Sequence, residues 1–204
     1  MVQRIRSDLD RNTTADDRIK QAIEDAIEFY RARRLGFNQK RATTNTAAGQ
    51  EFYSLPTDFL EADALRIEEQ ANYYEPLAEV TFDWIDEHNG RVDHYSVPAK
   101  FAVQNRELRL FPIPDGTYEL QLSYLYDLGG VSASASDGAS NAWTDEAEQL
   151  VRLHAQADVL ELYIGGQESV VAAQLLRGKA AAVYNELKRR ANREQSTGRL
   201  RPWT

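Results

Sequence analysis

The chain has 204 residues, 42% hydrophobic and 27% charged, with a formal net charge of −8. This is the profile of one globular domain, or of a domain carrying an insert. It holds no cysteine, which excludes disulfides, thiolate metal sites and thiol nucleophiles. No apolar run nears the roughly 18 residues of a membrane span, and the opening MVQRIRSDLDRN lacks the apolar core of a secretory signal, so no membrane partner is expected.

The stretch NTTADDRIKQAIEDAIEFYRARRLGF predicts a first long helix near residues 15–34. Ile19, Ile23, Ile27 and Tyr30 recur at helical spacing and form one apolar stripe. Thr14 with Asp17 resembles a capping box, and Asp16 and Asp17 suit the positive end of the helix. Arg31, Arg33 and Arg34 suit the negative end, and Gly36 fits the C′ position. From Lys40 the pattern turns to short β runs at residues 50–54 and 64–69, split by the turn Leu55-Pro56-Thr57-Asp58. A loop and a short helix over residues 81–88 follow, capped by Thr81 and stopped by Asn89-Gly90, with Val80, Trp84 and Ile85 packing down. Residues 101–104, 107–111 and 117–127 predict three antiparallel strands of one small sheet. Asp115-Gly116 reads as a hairpin turn joining the last two, while Pro112 and Pro114 bar that stretch from a central strand. Tyr118, Leu120, Leu122 and Tyr124 then share one face, because strand side chains alternate.

Residues 129–143, GGVSASASDGASNAW, form a long loop of small polar residues. A second helix over residues 145–164 takes Thr144 as its N-cap and runs Leu150, Leu153, Ala157, Leu160 and Ile164 along one seam. Gly165-Gly166 breaks it. A third helix over residues 168–194 carries Val170, Val171, Ala173, Leu175, Leu176, Ala180, Val183, Tyr184 and Leu187, and the short break makes the two antiparallel neighbours. The fold class is therefore α+β: an antiparallel helical bundle from residues 1–39 and 143–194, a β-rich module inserted at 40–142, and an extended C-terminal arm, QSTGRLRPWT, at 195–204. Ile23, Ile27, Leu150, Leu153, Leu160, Leu176 and Val183 are the expected bundle core.

Catalytic equipment is hard to find in this pattern. His88, His94 and His154 have no metal-ligand spacing. The carboxylate pairs Glu68-Glu69 and Asp83 with Asp86 sit where strand edges and helix faces hold such pairs routinely. The serines of residues 132–140 lack a nucleophile elbow, and the paired glycines match no phosphate-binding loop. No cofactor, metal or catalytic residue is expected. Charge is the stronger signal, because residues 51–100 hold twelve Asp/Glu against three Lys/Arg, whereas residues 177–204 hold two against eight. Opposite patches in one chain fit a protein that meets neighbours. The run Lys188-Arg189-Arg190 with Arg193 leaves a nucleic-acid-binding or regulatory module as the alternative.

Four stretches in order, RIKQAIEDAIEFYRARRLGFNQK, EFYSLPTDFLEADAL, ELRLFPIPDGTYELQLSYLYDL and NAWTDEAEQLVRLHAQADVLELYIGG, resemble the head-to-tail adaptor (connector) proteins of tailed bacteriophages. The resemblance spans roughly residues 15–190, and the order of the elements carries it. It implies a virion protein at the head–tail interface that assembles in the bacterial host cytoplasm. Such a protein forms a homo-oligomeric, dodecameric ring, docks on the portal protein, extends the DNA channel and meets a downstream tail or nozzle protein. DNA then passes through without specific binding, which suits a net-acidic conduit. Carried onto this chain, portal binding falls to Arg189, Arg190, Arg193, Arg199, Arg201 and Trp203.

Overall fold

The computed structural model describes residues 1–9, 16–71, 73–89, 94–129 and 141–197. Thr14, most of the polar loop and the arm residues Arg199, Arg201 and Trp203 lie outside these. The chain is mixed α+β and divides into two compact units, one of residues 1–38 and 128–204, the other of residues 39–127.

The first unit is helical. It contains α1 (Val2–Asp8), α2 (Asp16–Arg31), α4 (Ala142–Asp145), α5 (Glu148–Asp158), a π-helical turn (Val159–Ile164) and α6 (Gln167–Thr197). The stripe of α2 is buried as its spacing predicts, and Ile19, Ile23, Ile27 and Tyr30 share a core with Leu150, Val151, Leu153 and Val159. Leu176 and Val183 are half-buried against that core, and Leu160 is half-buried as well. Each fully buried Leu contributes about 1.5–3 kcal/mol. Helix α1 was not foreseen. Its Ile5 is fully buried, with Met1, Val2 and Leu9 packed beside it, but seven residues are too few for periodicity to announce a helix.

Three helix-end expectations are corrected. Helix α2 stops at Arg31, so Gly36 is no C′ residue. The buried Asn38 side chain holds this corner instead, donating to the Arg33 carbonyl (2.7 Å) and accepting from the Leu35 N–H (2.9 Å). Gly36 is needed for another reason: its φ is +86°, and a Cβ there would lie 2.9 Å from the Ala191 Cβ on α6. The second predicted helix is split, and Asn141 rather than Thr144 is the N-cap. The Asn141 carboxamide accepts from the N–H groups of Trp143 (3.0 Å) and Thr144 (3.2 Å), while the Thr144 hydroxyl accepts from the Asn141 N–H (2.9 Å). Lastly, α6 runs three residues past the expected end at 194, to Thr197, taking the first residues of the supposed arm into the helix.

The glycine break stands as expected, with φ of +67° at Gly165 and +89° at Gly166. Arg177 of α6 meets Asp158 at the end of α5 (3.0 Å), and the later Leu187 and Arg190 line a groove with Glu146 and Leu150 at its start. Rising positions on α6 thus meet falling positions on α5, so the two run antiparallel.

The second unit is a pair of sheets. Its elements are β1 (Gln39–Asn45), β2 (Phe52–Ser54), β3 (Phe59–Gln70), β4 (Tyr73–Pro76), β5 (Ala78–Glu79), α3 (Phe82–Asn89), β6 (Lys100–Gln104), β7 (Glu107–Phe111) and β8 (Glu119–Tyr126). The strand orders are β1-β8-β3-β4 and β2-β7-β6-β5. Among the described residues, the pairings of these strands are antiparallel except β5 with β6, which is parallel. The expected single sheet with a β7–β8 hairpin is therefore overturned. Strand β7 pairs with β2 and β6, whereas β8 pairs with β1 and β3. Pro112 and Pro114 lack the N–H groups a hairpin ladder needs. The Asp115-Gly116 turn is bound to Thr46 instead, whose hydroxyl donates to the Gly116 carbonyl (2.9 Å) and accepts from the Tyr118 N–H (2.8 Å). The face assignment survives: Leu120, Leu122 and Tyr124 are buried, with Tyr118 packed beside them. Leu65 and Ile67 from the first sheet and Phe101, Leu108 and Leu110 from the second join them in one core. Thr81 caps α3 through its hydroxyl, which accepts from the Trp84 N–H (3.1 Å), and Ile85 is fully buried.

Two ionic anchors tie this unit together. Asp58, in the Leu55-Pro56-Thr57-Asp58 turn, accepts from Lys40 of β1 (2.7 Å) and from the Tyr124 hydroxyl of β8 (2.9 Å). The Lys40 ammonium, ahead of the other contacts, holds the Asp58 carboxyl below its usual value. Arg109 on β7 is 7% exposed and reaches Glu51 (2.6 Å) and Asp86 of α3 (2.5 Å). Burial alone would push its guanidinium down; the hydrogen bonds it donates to Asp86 and Glu51 outweigh that and hold the group charged.

Candidate assembly surface

The basic run lies on the last turns of α6. Arg189, Arg190 and Arg193 are exposed and line one side of a groove of about 630 Å³, facing Glu146, Gln149 and Leu150 at the start of α5. Val183 and Leu187 give the groove an apolar floor, and the Arg189 guanidinium donates to the Asn185 carbonyl (3.2 Å). Three guanidiniums beside two carboxylates, Glu146 and Glu186, form a polar rim suited to an extended protein segment bearing acidic groups. Three of the six sequence-predicted portal-binding residues are thus brought together; Arg199, Arg201 and Trp203 lie outside the described residues. Glu146 and Gln149 belong to the same groove. No spacing rule in the sequence links residue 146 to residue 190.

Three apolar positions of the third helix are turned out. Val170 is 38% exposed, and Val171 and Leu175 are each 62% exposed. The packed stripe of α6 runs through Ala173, Leu176, Ala180, Val183, Tyr184, Leu187 and Ala191, so Val171 and Leu175 fall on the opposite side of the helix.

His154 sits inside a network on the helical unit. Its Nδ1 faces the Tyr30 hydroxyl (3.1 Å) and its Nε2 lies 3.6 Å from Asp158. The Phe29 ring packs over it, and Arg33 sits above Phe29, Tyr30 and Tyr184. Burial first, then the charges of Arg177 and Arg33, push its pKa below the ordinary histidine value against the pull of Asp158. The folded state therefore resists protonation, and stability is fully present above the unfolded pKa near 6.5. As pH falls below about 6.5 the unfolded chain takes up the proton first, and stability is lost with a slope of up to about 1.4 kcal/mol per pH unit until the folded pKa is reached. Unfolding midpoints from pH 7.5 to 5 should fall more steeply in the native chain than in His154→Leu; equal slopes would remove His154 from the acid response. Among the described residues, no group of three or more His, Asp or Glu is placed to hold a metal ion, and no helix is long and apolar enough to cross a membrane.

A two-unit α+β chain offering an arginine-lined groove and an exposed apolar helix face has the surfaces of an assembly component. The chain belongs to the SU10 adaptor protein family, whose model matches residues 1–203. The resemblance to phage head-to-tail adaptors, read from the order of elements, is borne out by that match. No curated protein matches. Among solved structures, a chain in "Neck of empty GTA particle computed with C6 symmetry" is 17% identical, with 81% of this chain and 80% of that chain covered and a TM-score of 0.28.

Proposed function

We propose that this protein is a structural, non-enzymatic head-to-tail adaptor: a homo-oligomeric ring, dodecameric as in the resembled family, that docks on the portal and extends the DNA channel. Family membership across residues 1–203 carries this reading. In it the helical unit acts as a bundle-like platform, and the β unit is offered to the downstream tail or nozzle protein. Arg189, Arg190 and Arg193, continued by Arg199, Arg201 and Trp203, take the portal. Arginine and tryptophan are enriched at interface hot spots. Seven residues beyond Thr197 reach at most about 25 Å when extended, enough to cross a neighbouring helix. The formal charge of −8 supports a conduit through which DNA slides without specific binding. The finished protein resides in the virion, after assembly in the host cytoplasm.

The test is docking to purified portal rings, read by co-sedimentation. Deletion of residues 198–204 spares α6 and is expected to weaken docking at least tenfold, or about 1.4 kcal/mol, with the thermal midpoint unchanged. Arg189→Glu with Arg193→Glu should do the same. Docking at full affinity by both variants would remove these residues from the interface. Strong, salt-dependent DNA binding by the native chain would favour the nucleic-acid module instead.

A further inference from the structure

Among the described residues, the two sheets end in four edge strands, β1, β4, β2 and β5, and three of them are blunted. Strands β2 and β5 hold only three and two residues, and shortness is one of the usual ways an edge is protected. Strand β4 is closed by a proline. The Leu77 N–H donates to the Leu65 carbonyl (2.9 Å), and Pro76 lies opposite Arg66. Alternation therefore turns Pro76 to the open side, where it has no N–H to give.

Strand β1 has no such block. Its seven residues keep one register with β8, from Gln39 opposite Leu125 to Asn45 opposite Glu119. Just beyond that register the Thr46 N–H donates to the Tyr118 carbonyl (2.8 Å). Alternation then gives the backbone groups of Lys40, Ala42 and Thr44 to β8 and points those of Arg41, Thr43 and Asn45 away from it. These last three residues are exposed. Lysine is a common guard of an edge, but Lys40 is drawn onto Asp58 (2.7 Å) and over the Tyr126 ring. Arg41 keeps its side chain exposed, and its cross-strand neighbour is the uncharged Ser123.

We propose that β1 is a docking edge: an extended strand of another protein, with a carboxylate opposite Arg41, adds to the sheet beside it. This deepens the adaptor reading and rests on it, because it assigns a surface to the downstream component. Ring symmetry argues for a different protein and against a second copy. Pairing of β1 with β1 is two-fold, whereas copies in a ring meet through two different surfaces. No other edge among the described residues is both long enough and open enough to pair with β1 of a neighbour. The carboxylate follows from Arg41, since opposite charges across a ladder stabilise it and like charges destabilise it.

Amide exchange reads this edge directly, because an N–H held in a ladder exchanges slowly. In the free chain Arg41, Thr43 and Asn45 should exchange at least tenfold faster than Ala42 and Thr44. The probe is the peptide Thr-Glu-Val-Glu-Val-Glu-Thr, which at millimolar concentration should slow the three outward amides at least tenfold. Its lysine-for-glutamate counterpart should leave them fast. Protection by both peptides, or by neither, would overturn the proposal. So would protection that rises with chain concentration alone, which would mean that copies pair through β1. Thr43→Pro removes an outward N–H and spares the ladder with β8, so it should fold natively and lose the peptide effect, while Thr43→Val keeps both. A folded proline variant that still takes the peptide would remove the edge from the mechanism. Arg41→Glu leaves the backbone untouched and should reverse the preference to the lysine peptide; an unchanged preference would overturn the assigned charge. Portal docking separates this proposal from the reading beneath it. Native docking beside a failed peptide test would overturn the edge and leave the adaptor standing. A chain that takes the acidic peptide but never docks on portal rings would keep the edge and sink the adaptor reading.

Discussion

Replacing Arg109 by alanine is expected to destabilise the β unit by about 3 kcal/mol, the lower end of the loss seen when one partner of a buried ion pair is removed. The guanidinium is nearly enclosed, and it holds Glu51, just before β2, and Asp86 of α3 against β7. The rings of Phe52 and Phe82 lie about it at 5.3 and 5.7 Å. Removal strips the guanidinium from Glu51, whose side chain is only 18% exposed and therefore poorly solvated. Asp86 is 63% exposed and can rehydrate, which is why the lower end of the range applies. Replacing both partners, Arg109→Met with Glu51→Leu, should recover most of the loss, because an apolar pair of similar volume does not strand a charge. Urea unfolding separates these outcomes. If the alanine variant lost less than about 1 kcal/mol, the pair would be no stronger than an exposed surface ion pair.

Nothing in the sequence marked Arg109 for that role. It stands in the alternating run Glu107-Leu108-Arg109-Leu110, where alternation assigns it to the solvent face. The second sheet's outer side is covered there by α3 and by Phe52, and that tertiary layer buries the charge. The β7–β8 misreading has a related cause. Asp115-Gly116 carries real turn chemistry, but a turn signal states only that the chain reverses locally. It does not say which strands pair afterwards. Strand β8 is central between β1 and β3, and β1 itself, Gln-Lys-Arg-Ala-Thr-Thr-Asn, is an exposed edge strand whose polar residues hide its β character.

Other features were legible because their signals are local. The α2 stripe, the Thr81 cap and the Gly165-Gly166 break all depend on residues within a turn or two of each other. The Leu55-Pro56-Thr57-Asp58 turn was legible as a turn, but not as a junction. Asp58 binds Lys40 and Tyr124, and its carbonyl accepts from the Asp127 N–H (2.7 Å), linking chain segments far apart in sequence. The arginines of the groove were found by charge alone, while the outward turn of Val171 and Leu175 was missed. With apolar residues on both sides of α6, hydropathy cannot choose which stripe packs inside.

Replacing Trp143 by alanine is expected to cost about 3–5 kcal/mol, the range for truncating a large aromatic side chain in a core. Trp143 is 1% exposed, and Phe37 meets it edge to face with ring centroids 5.2 Å apart. That geometry adds to the burial energy. Its position follows from the capping box at Asn141 and Thr144, which starts α4 one turn before α5 and points the indole into the shared helical core. Trp143→Phe keeps an aromatic ring and should lose less than half as much. Far-UV circular dichroism during urea unfolding reports the helical unit, and amide exchange locates the damage. Exchange should accelerate in α2 and α5, whose buried side chains share a core with Trp143. The same loss should reach the groove, since α4 leads directly into Glu146 and Gln149 opposite Arg190. If the groove takes the portal as proposed, docking by Trp143→Ala should therefore weaken even at temperatures where the chain remains folded. A variant with native stability would show that the indole is dispensable to the helical core, and native docking would show that α4 does not set the groove.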